Sequence, residues 1–421
     1  MNSKKFREHF IRIYGSEKNI LRKQKKRFSE LKMKYIALFN SEPEVFISAP
    51  ARVELCGNHT DHNGGRVVAA AINHDMIALA GANQSQDVVV YSEGFSEPFK
   101  LNLDEKGPFN NERATTTGLL RGIGTRLDDM GQTVKGFNAV IQSDIPISAG
   151  LSSSASVEIL IGSIFNMLFN DGMIPAESLA MVSQFAENSY FGKPCGLMDQ
   201  MTCAVGGIIQ MEFKDPTIPL INRIDFNLKR YNYSFVVVNT GISDVSLRDE
   251  YKSIPDEMKL VAKQFGLSNC SQLNRNDIIS NFKELRQRTG DRALARALHF
   301  IEENDRVYTQ TKALGRGDFQ YFLDFVNESG NSSYKWLQNV YSSANSKNQG
   351  IALALALTED YLNKIQAGAC RVHGGGFAGT VLTILPDECV EEYVDIMKPV
   401  FTRKNIYVQV VRDKGTASLR L

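Results

Sequence analysis

Asp144-Ile-Pro-Ile-Ser-Ala-Gly-Leu-Ser-Ser-Ser-Ala-Ser156 decides the reading of this chain. A strand-like run, Phe137–Gln142, stands before it. After it, Val157, Leu160, Ile161, Ile164, Phe165 and Leu168 fall on one face of a helix. Strand, small-residue loop and helix start together have the geometry of an anion site. The first N–H groups of a helix have no partner within it, and the helix dipole adds partial positive charge there. Gly150 lets backbone approach a phosphate closely. The hydroxyls of Ser152, Ser153 and Ser154 can cap the helix, bond phosphate oxygens or hold a cation. Plain capping needs one such Ser, so phosphate binding is the favoured reading. Other glycine-rich classes fail. There is no G-x-x-x-x-G-K-[ST], no G-x-G-x-x-G after a strand, and Ser154 stands where a G-x-S-x-G elbow needs Gly.

Two further segments carry chemistry. Ala49-Pro-Ala-Arg-Val-Glu-Leu-Cys-Gly-Asn-His-Thr-Asp-His-Asn-Gly-Gly65 reads as a strand that enters a polar turn. His59, Asp61, His62 and Asn63 there can bond a polyol through paired donors and acceptors. On those residues alone, an Asx-rich turn serving its own backbone is the better reading. Arg371-Val-His-Gly-Gly-Gly-Phe-Ala-Gly379 precedes the strand-like Thr380–Leu385. Its glycines permit close approach of backbone or ligand. A helix C-cap needs one glycine, seldom four in six residues.

The rest of the chain sets bounds. Its 421 residues suffice for two domains or one large one. The formal net charge of +1 excludes a whole-molecule nucleic-acid footprint. Residues 1–40 nevertheless hold 12 Lys and Arg against 3 Asp and Glu, leaving a net −8 on the remainder. Leu21, Phe28, Leu31, Tyr35 and Leu38 make one apolar stripe there, so a helix with a solvated basic face is expected. No stretch approaches 18 consecutive apolar residues, and neither a membrane span nor a secretory signal is expected. Six cysteines without C-x-x-C spacing suit reduced thiols in a cytoplasmic protein, with no structural metal.

Short strand-like runs (Val88–Tyr91, Phe137–Gln142, Phe235–Asn239 and Thr380–Leu385) alternate with helical patterns. The Arg292–Phe325 segment reads as helices. Residues 1–40 form a basic helical extension in this reading. A shift in composition over Asp215–Leu228 suggests two domains, 41–215 and 216–421.

Taken together the segments resemble the galactokinase family, within the GHMP small-molecule kinases. The motifs are Arg52-Val-Glu-Leu-Cys-Gly-Asn-His-Thr-Asp-His-Asn-Gly-Gly65, Gly150-Leu-Ser-Ser-Ser-Ala155, Ala186-Glu-Asn-Ser-Tyr-Phe-Gly-Lys-Pro-Cys-Gly-Leu-Met-Asp-Gln200 and His373-Gly-Gly-Gly-Phe-Ala-Gly379. They stand in the family's order and cover the chain from about residue 45 onward. The resemblance implies an α+β GHMP kinase fold. An N-terminal domain like ribosomal protein S5 domain 2 would pack on a ferredoxin-like C-terminal domain, with the site in the cleft.

It also implies roles. Asp199 matches the catalytic carboxylate and Arg52 its partner. Gly150, Leu151, Ser152, Ser153, Ser154 and Ala155 match the ATP phosphate loop. Ser154 and Glu187 match the Mg²⁺ ligands. Asn58, His59, Asp61, Gly196 and Tyr251 match sugar-contacting positions. Standing alone, Asp199 reads as a surface or capping carboxylate and Glu187 as one on an exposed helix face. The chain departs from the family in three places. Asn58 replaces a usual Glu, Lys252-Ser-Ile-Pro-Asp256 replaces a pair of Arg, and Thr116 and Leu119 replace aromatics beside adenine. The implied activity is transfer of the ATP γ-phosphoryl group to the anomeric hydroxyl of galactose, by a monomer or weak homo-oligomer. The alternatives are a kinase for galacturonate, arabinose or N-acetylgalactosamine, and a non-catalytic sugar and nucleotide sensor. The complete set Arg52, Ser154, Glu187 and Asp199 favours an enzyme. His59-Thr-Asp61 argues against a mevalonate or homoserine kinase.

Overall fold

A computed structural model of the chain describes residues 4–146, 150–215, 218–241, 247–343, 346–377 and 379–421. Residues 147–149 of the serine loop, Pro216 of the composition shift, Ser246 and Ala378 lie outside the described residues.

The strands are β1 (Val45–Cys56), β2 (Arg66–Ala82), β3 (Asp87–Ser92), β4 (Phe99–Asn102), β5 (Phe137–Ser143), β6 (Ile208–Glu212), β7 (Leu220–Ile224), β8 (Tyr233–Asn239), β9 (Ala369–His373), β10 (Thr380–Pro386), β11 (Ile406–Gln409) and β12 (Ala417–Arg420). An eight-stranded sheet runs β12-β1-β2-β5-β3-β4, with β6 on β2 and β7 on β6. Its β3–β5 pair is parallel and its other pairs antiparallel. A four-stranded antiparallel sheet runs β11-β8-β10-β9. The large sheet therefore draws strands from both sides of residue 215. The four runs read as strands from sequence all lie in strands.

The helices are α1 (Lys4–Tyr14), α2 (Lys18–Phe39), α3 (Thr116–Asp129), α4 (Ser153–Phe169), α5 (Ala176–Phe185), α6 (Met198–Val205), α7 (Arg248–Lys263), α8 (Arg275–Ser280), α9 (Phe282–Thr289), α10 (Asp291–Arg316), α11 (Phe319–Ser332), α12 (Gly350–Ile365) and α13 (Val390–Phe401). Side-chain alternation along the strands gives each sheet two apolar faces. Val45, Ile47, Ala139 and Ile141 pack with Leu120 and Ile123 of α3 and Leu160 and Ile164 of α4. Phe46, Ile77, Leu79 and Val140 turn the other way, onto Phe6 and Phe10 of α1 and Phe28 and Tyr35 of α2. In the small sheet Phe235 and Val237 share a core with α10 and α11, while Val236 and Val238 face α12 and α13.

The basic N-terminal segment is helical as expected, but its buried face differs from the expected stripe. Leu38 is exposed, while Arg27 is buried. Arg27 bonds Asp75 Oδ1 at 2.8 Å, and Tyr14 Oη and Arg412 Nη1 reach Asp75 Oδ2 at 2.7 and 3.2 Å. A buried carboxylate surrounded by two guanidiniums and the hydroxyls of Tyr14 and Ser48 is satisfied rather than stranded.

Candidate active site

β1 delivers the first group. Its register against β2 shifts between Pro50 and Arg52, and irregularities of this kind re-aim side chains beside sites. Arg52 points at the start of α6, where Nε meets Asp199 Oδ1 and Nη2 meets Asp199 Oδ2, each at 2.6 Å. Its Nη1 donates to Gly150 O at 2.7 Å, which ties β1 to the serine loop. Burial pushes the Asp199 carboxyl up. The Arg52 charge and hydrogen bonds, helped by Ser152, outweigh it and hold the group below its ordinary range.

Ser152 enters α4 in a left-handed conformation, φ 58°. Its hydroxyl donates to Asp199 Oδ2, and it makes no side-chain cap on the helix. The first N–H groups of α4 are thus left without that partner, at the positive end of the helix dipole. The Ser153 and Ser154 hydroxyls have no protein partner among the described residues. Thr380 fills the space beside Gly150, where a Cβ would lie 2.6 Å from its Oγ1.

The polar turn after β1 comes to the same place. Asp61 packs on Gly196, where a Cβ would lie 1.5 Å from Asp61 Oδ2, so glycine is required there. Burial raises the Asp61 carboxyl, and Asp199 adds to that rise, while His59 opposes it. His59, with φ 60°, holds a conformation that non-glycine residues seldom take. Its Nε2 faces Gly375 O at 3.0 Å and must donate, because a carbonyl only accepts. Its Nδ1 then accepts from His62 Nε2 at 3.0 Å, and His62 Nδ1 accepts from Asn63 at 3.0 Å. Burial lowers both imidazoles to about 3, so the chain of tautomers is neutral.

The third glycine segment closes over this cluster. Asn58 Nδ2 donates to Gly374 O at 2.8 Å, Asn339 to Gly375 O at 3.2 Å, and Tyr251 Oη to Gly376 O at 3.0 Å. A Cβ on Gly375 would strike Tyr251, and one on Gly376 would strike Asn339.

Asn58 meets this segment with its amide engaged inside the protein. It is 1% exposed. Its Nδ2 also serves Glu54, at 3.0 and 3.1 Å, and its Oδ1 accepts from Asn339 at 2.7 Å and Ser333 at 3.4 Å. No donor or acceptor of the amide is left for a ligand. Glu54 is raised by burial to about 7, against the pull of Arg371.

α5 continues into a single π-turn, Ala186–Phe191, a feature often found at functional sites. It presents Glu187, 3% exposed. Gln200 Nε2 donates to Glu187 Oε2 at 2.8 Å and to Glu158 Oε2 at 3.1 Å, and Lys193 Nζ donates to Glu187 Oε1 at 3.0 Å. The sequence reading missed Glu158, Lys193 and Gln200. Two signals were available: Glu158 follows Ser154 by one helical turn, and Gln200 adjoins Asp199.

Known proteins share sequence and fold with this chain. Residues 33–82 match the galactokinase galactose-binding signature, and residues 118–207 match the GHMP kinase N-terminal domain. The chain is 30% identical over 355 residues to a galactokinase of Actinobacillus pleuropneumoniae serotype 3, covering 82% of this chain and 86% of that one. It is 28% identical over 408 residues to a galactokinase of Clostridium beijerinckii, covering 92% and 98%. Among solved structures, Lactococcus lactis galactokinase complexed with galactose superposes with a TM-score of 0.76 at 26% identity, over 94% of this chain and 100% of that one.

Proposed function

Because this chain belongs to the galactokinase family, we propose that it is an ATP-dependent kinase that phosphorylates the anomeric hydroxyl of galactose. The observation that carries the reading is the Arg52–Asp199 pair, set between the Asp61–Gly196 turn and the open start of α4. A sugar hydroxyl is a poor nucleophile. A carboxylate kept ionised by a guanidinium accepts its proton as the bond to phosphorus forms. His59, Asp61, Gly196 and Tyr251 line the sugar side. Gly150, Leu151, Ser152, Ser153, Ser154 and Ala155 form the nucleotide side.

Ser154 and Glu187 are the candidate ligands for Mg²⁺. The donor set fits: Glu187 is a buried carboxylate that already holds a cationic partner, Lys193, and the Ser154 hydroxyl is unengaged among the described residues. Mg²⁺ bound there would neutralise charge on the phosphate oxygens. A galacturonate carboxylate would need a free N–H from Asn58, which stands where the family usually has Glu. Those N–H groups serve Glu54 and Gly374, so galactose stands first. Among the described residues no helix is long and apolar enough to cross a membrane. We infer a cytoplasmic enzyme, as a monomer or weak homo-oligomer. Steady-state ADP release on galactose, galacturonate, arabinose and N-acetylgalactosamine tests the assignment. Galactose ranking last would overturn the substrate, and no turnover on any sugar would overturn the enzyme.

A further inference from the structure

We propose that Lys193, with Arg113 beside it, is the cation that meets the triphosphate of the nucleotide, and that Glu187 holds it in reserve while no nucleotide is bound. The proposal rests on the phosphotransferase reading and adds two residues to it.

Phosphoryl transfer needs positive charge on the oxygens of the moving group. Arg52 is poorly placed to supply it. Its Nε, Nη1 and Nη2 are each committed, to Asp199, Gly150 and Asp199, and it is 4% exposed. Moving it would leave a buried carboxylate unpaired.

Lys193 is in the opposite condition. Its side chain is 60% exposed, and one hydrogen bond, to Glu187 Oε1, is its only side-chain tie among the described residues. Its backbone is fixed: the N–H groups of Gly192 and Lys193 both donate to Glu187 O, at 3.0 and 3.1 Å. The Cα is thus anchored while a four-carbon stem can swing an ammonium with spare donors. The ammonium also acts on Asp199, whose carboxyl it helps to lower, so it lies electrostatically within reach of the reacting centre.

Arg113 lies beside the same turn. A Cβ on Gly192 would lie 3.0 Å from Arg113 Nη1, so the guanidinium lies over the residue that precedes Lys193. The Ala114 N–H donates to Phe191 O at 2.9 Å and holds the two segments together. The Arg113 guanidinium has no hydrogen bond or ion pair among the described residues. Two cations with free donors therefore flank one glycine, next to the carboxylate assigned to the metal. When Mg²⁺ occupies Glu187, the Lys193 ammonium loses its partner there and turns to phosphate oxygens.

The test is equilibrium binding of ATP by calorimetry without sugar, once in EDTA and once with Mg²⁺, on wild type, Lys193→Met, Arg113→Met and Lys193→Arg. Lys193→Met should weaken ATP binding roughly 10- to 100-fold, the worth of a charge-assisted contact. Arg113→Met should weaken it less, and Lys193→Arg should restore most of the loss. Sugar affinity without nucleotide should stay within about twofold of wild type. Both residues are exposed, so all variants should fold. Wild type that binds ATP beside a Lys193→Met protein that binds it equally well would overturn this proposal alone. Equal losses of sugar and nucleotide affinity would also overturn it. Wild type that binds no ATP would overturn the phosphotransferase reading together with it.

Discussion

Arg52 grips Asp199 through two parallel hydrogen bonds of 2.6 Å, joining the first motif to the third across 147 residues of chain. The carboxylate is therefore oriented as well as ionised. Asp199→Asn should lower kcat roughly 10²- to 10⁴-fold while sugar binding changes little. Near wild-type turnover in that variant would remove Asp199 from the base role. Arg52→Lys gives the sign of the electrostatics. With the bidentate partner weakened, the acid limb of the pH–rate profile should move to higher pH.

Gly196 makes room for Asp61. A methyl group would have to occupy the space of its carboxylate. Gly196→Ala should raise the sugar KM by about tenfold or more, while nucleotide binding without sugar is kept. Unchanged sugar KM would show that Asp61 is not a sugar ligand.

Ser154→Ala and Glu187→Gln test the nucleotide side. Each should raise the KM for Mg·ATP or lower kcat, by roughly tenfold. Galactose affinity measured without nucleotide should hold. Parallel loss of both affinities would point to damage to the fold.

His59 and His62 give the enzyme an acid sensitivity. Their folded-state values of about 3 lie below the ordinary value near 6.5. Between those limits the unfolded chain binds protons that the folded chain refuses. Their contribution to stability is thus complete above about pH 6.5 and falls as the pH drops toward 3. The thermal midpoint should decline below pH 6.5, and His62→Gln, which removes one of the two groups, should flatten that decline. An identical pH slope in the variant would contradict the assignment.

Asn58 and Glu54 should behave as a unit. Asn58→Glu, which restores the family's usual residue, sets a second carboxylate against Glu54 in a buried place. It should cost about 3–5 kcal/mol by urea unfolding. Adding Glu54→Gln should recover a large part of that loss. Simple additivity of the two changes would show that they do not interact.

What was legible in the sequence follows the range of each interaction. Strand alternation and the helix after Ser152 are local patterns, and Phe137–Gln142 and Leu160–Phe165 lie where they were expected. Arg52 and Asp199 were found through motifs. The direction of Asn58 could not be found in that way. Its partners Ser333, Asn339 and Gly374 lie 275, 281 and 316 residues away. Nothing near Asn58 in sequence tells that its amide is already spent. Arg27 was hidden for the same reason. A basic residue on a basic helix reads as solvated until Asp75, 48 residues on, is seen to receive it.

β12 pairs with the outer edge of β1, and the partners Ser48 and Ala417 lie 369 residues apart in the chain. A ribosome makes β1 long before β12. The edge that β12 covers must therefore wait, bare, until the residues between the two strands have been made. A nascent chain in that state presents an open row of N–H and C=O groups, the kind of edge that recruits stray strands. Deletion of residues 417–420 would make that exposure permanent. β12 works as a clasp, and its integrity should govern how much chain reaches the folded state more than how fast the finished enzyme turns over.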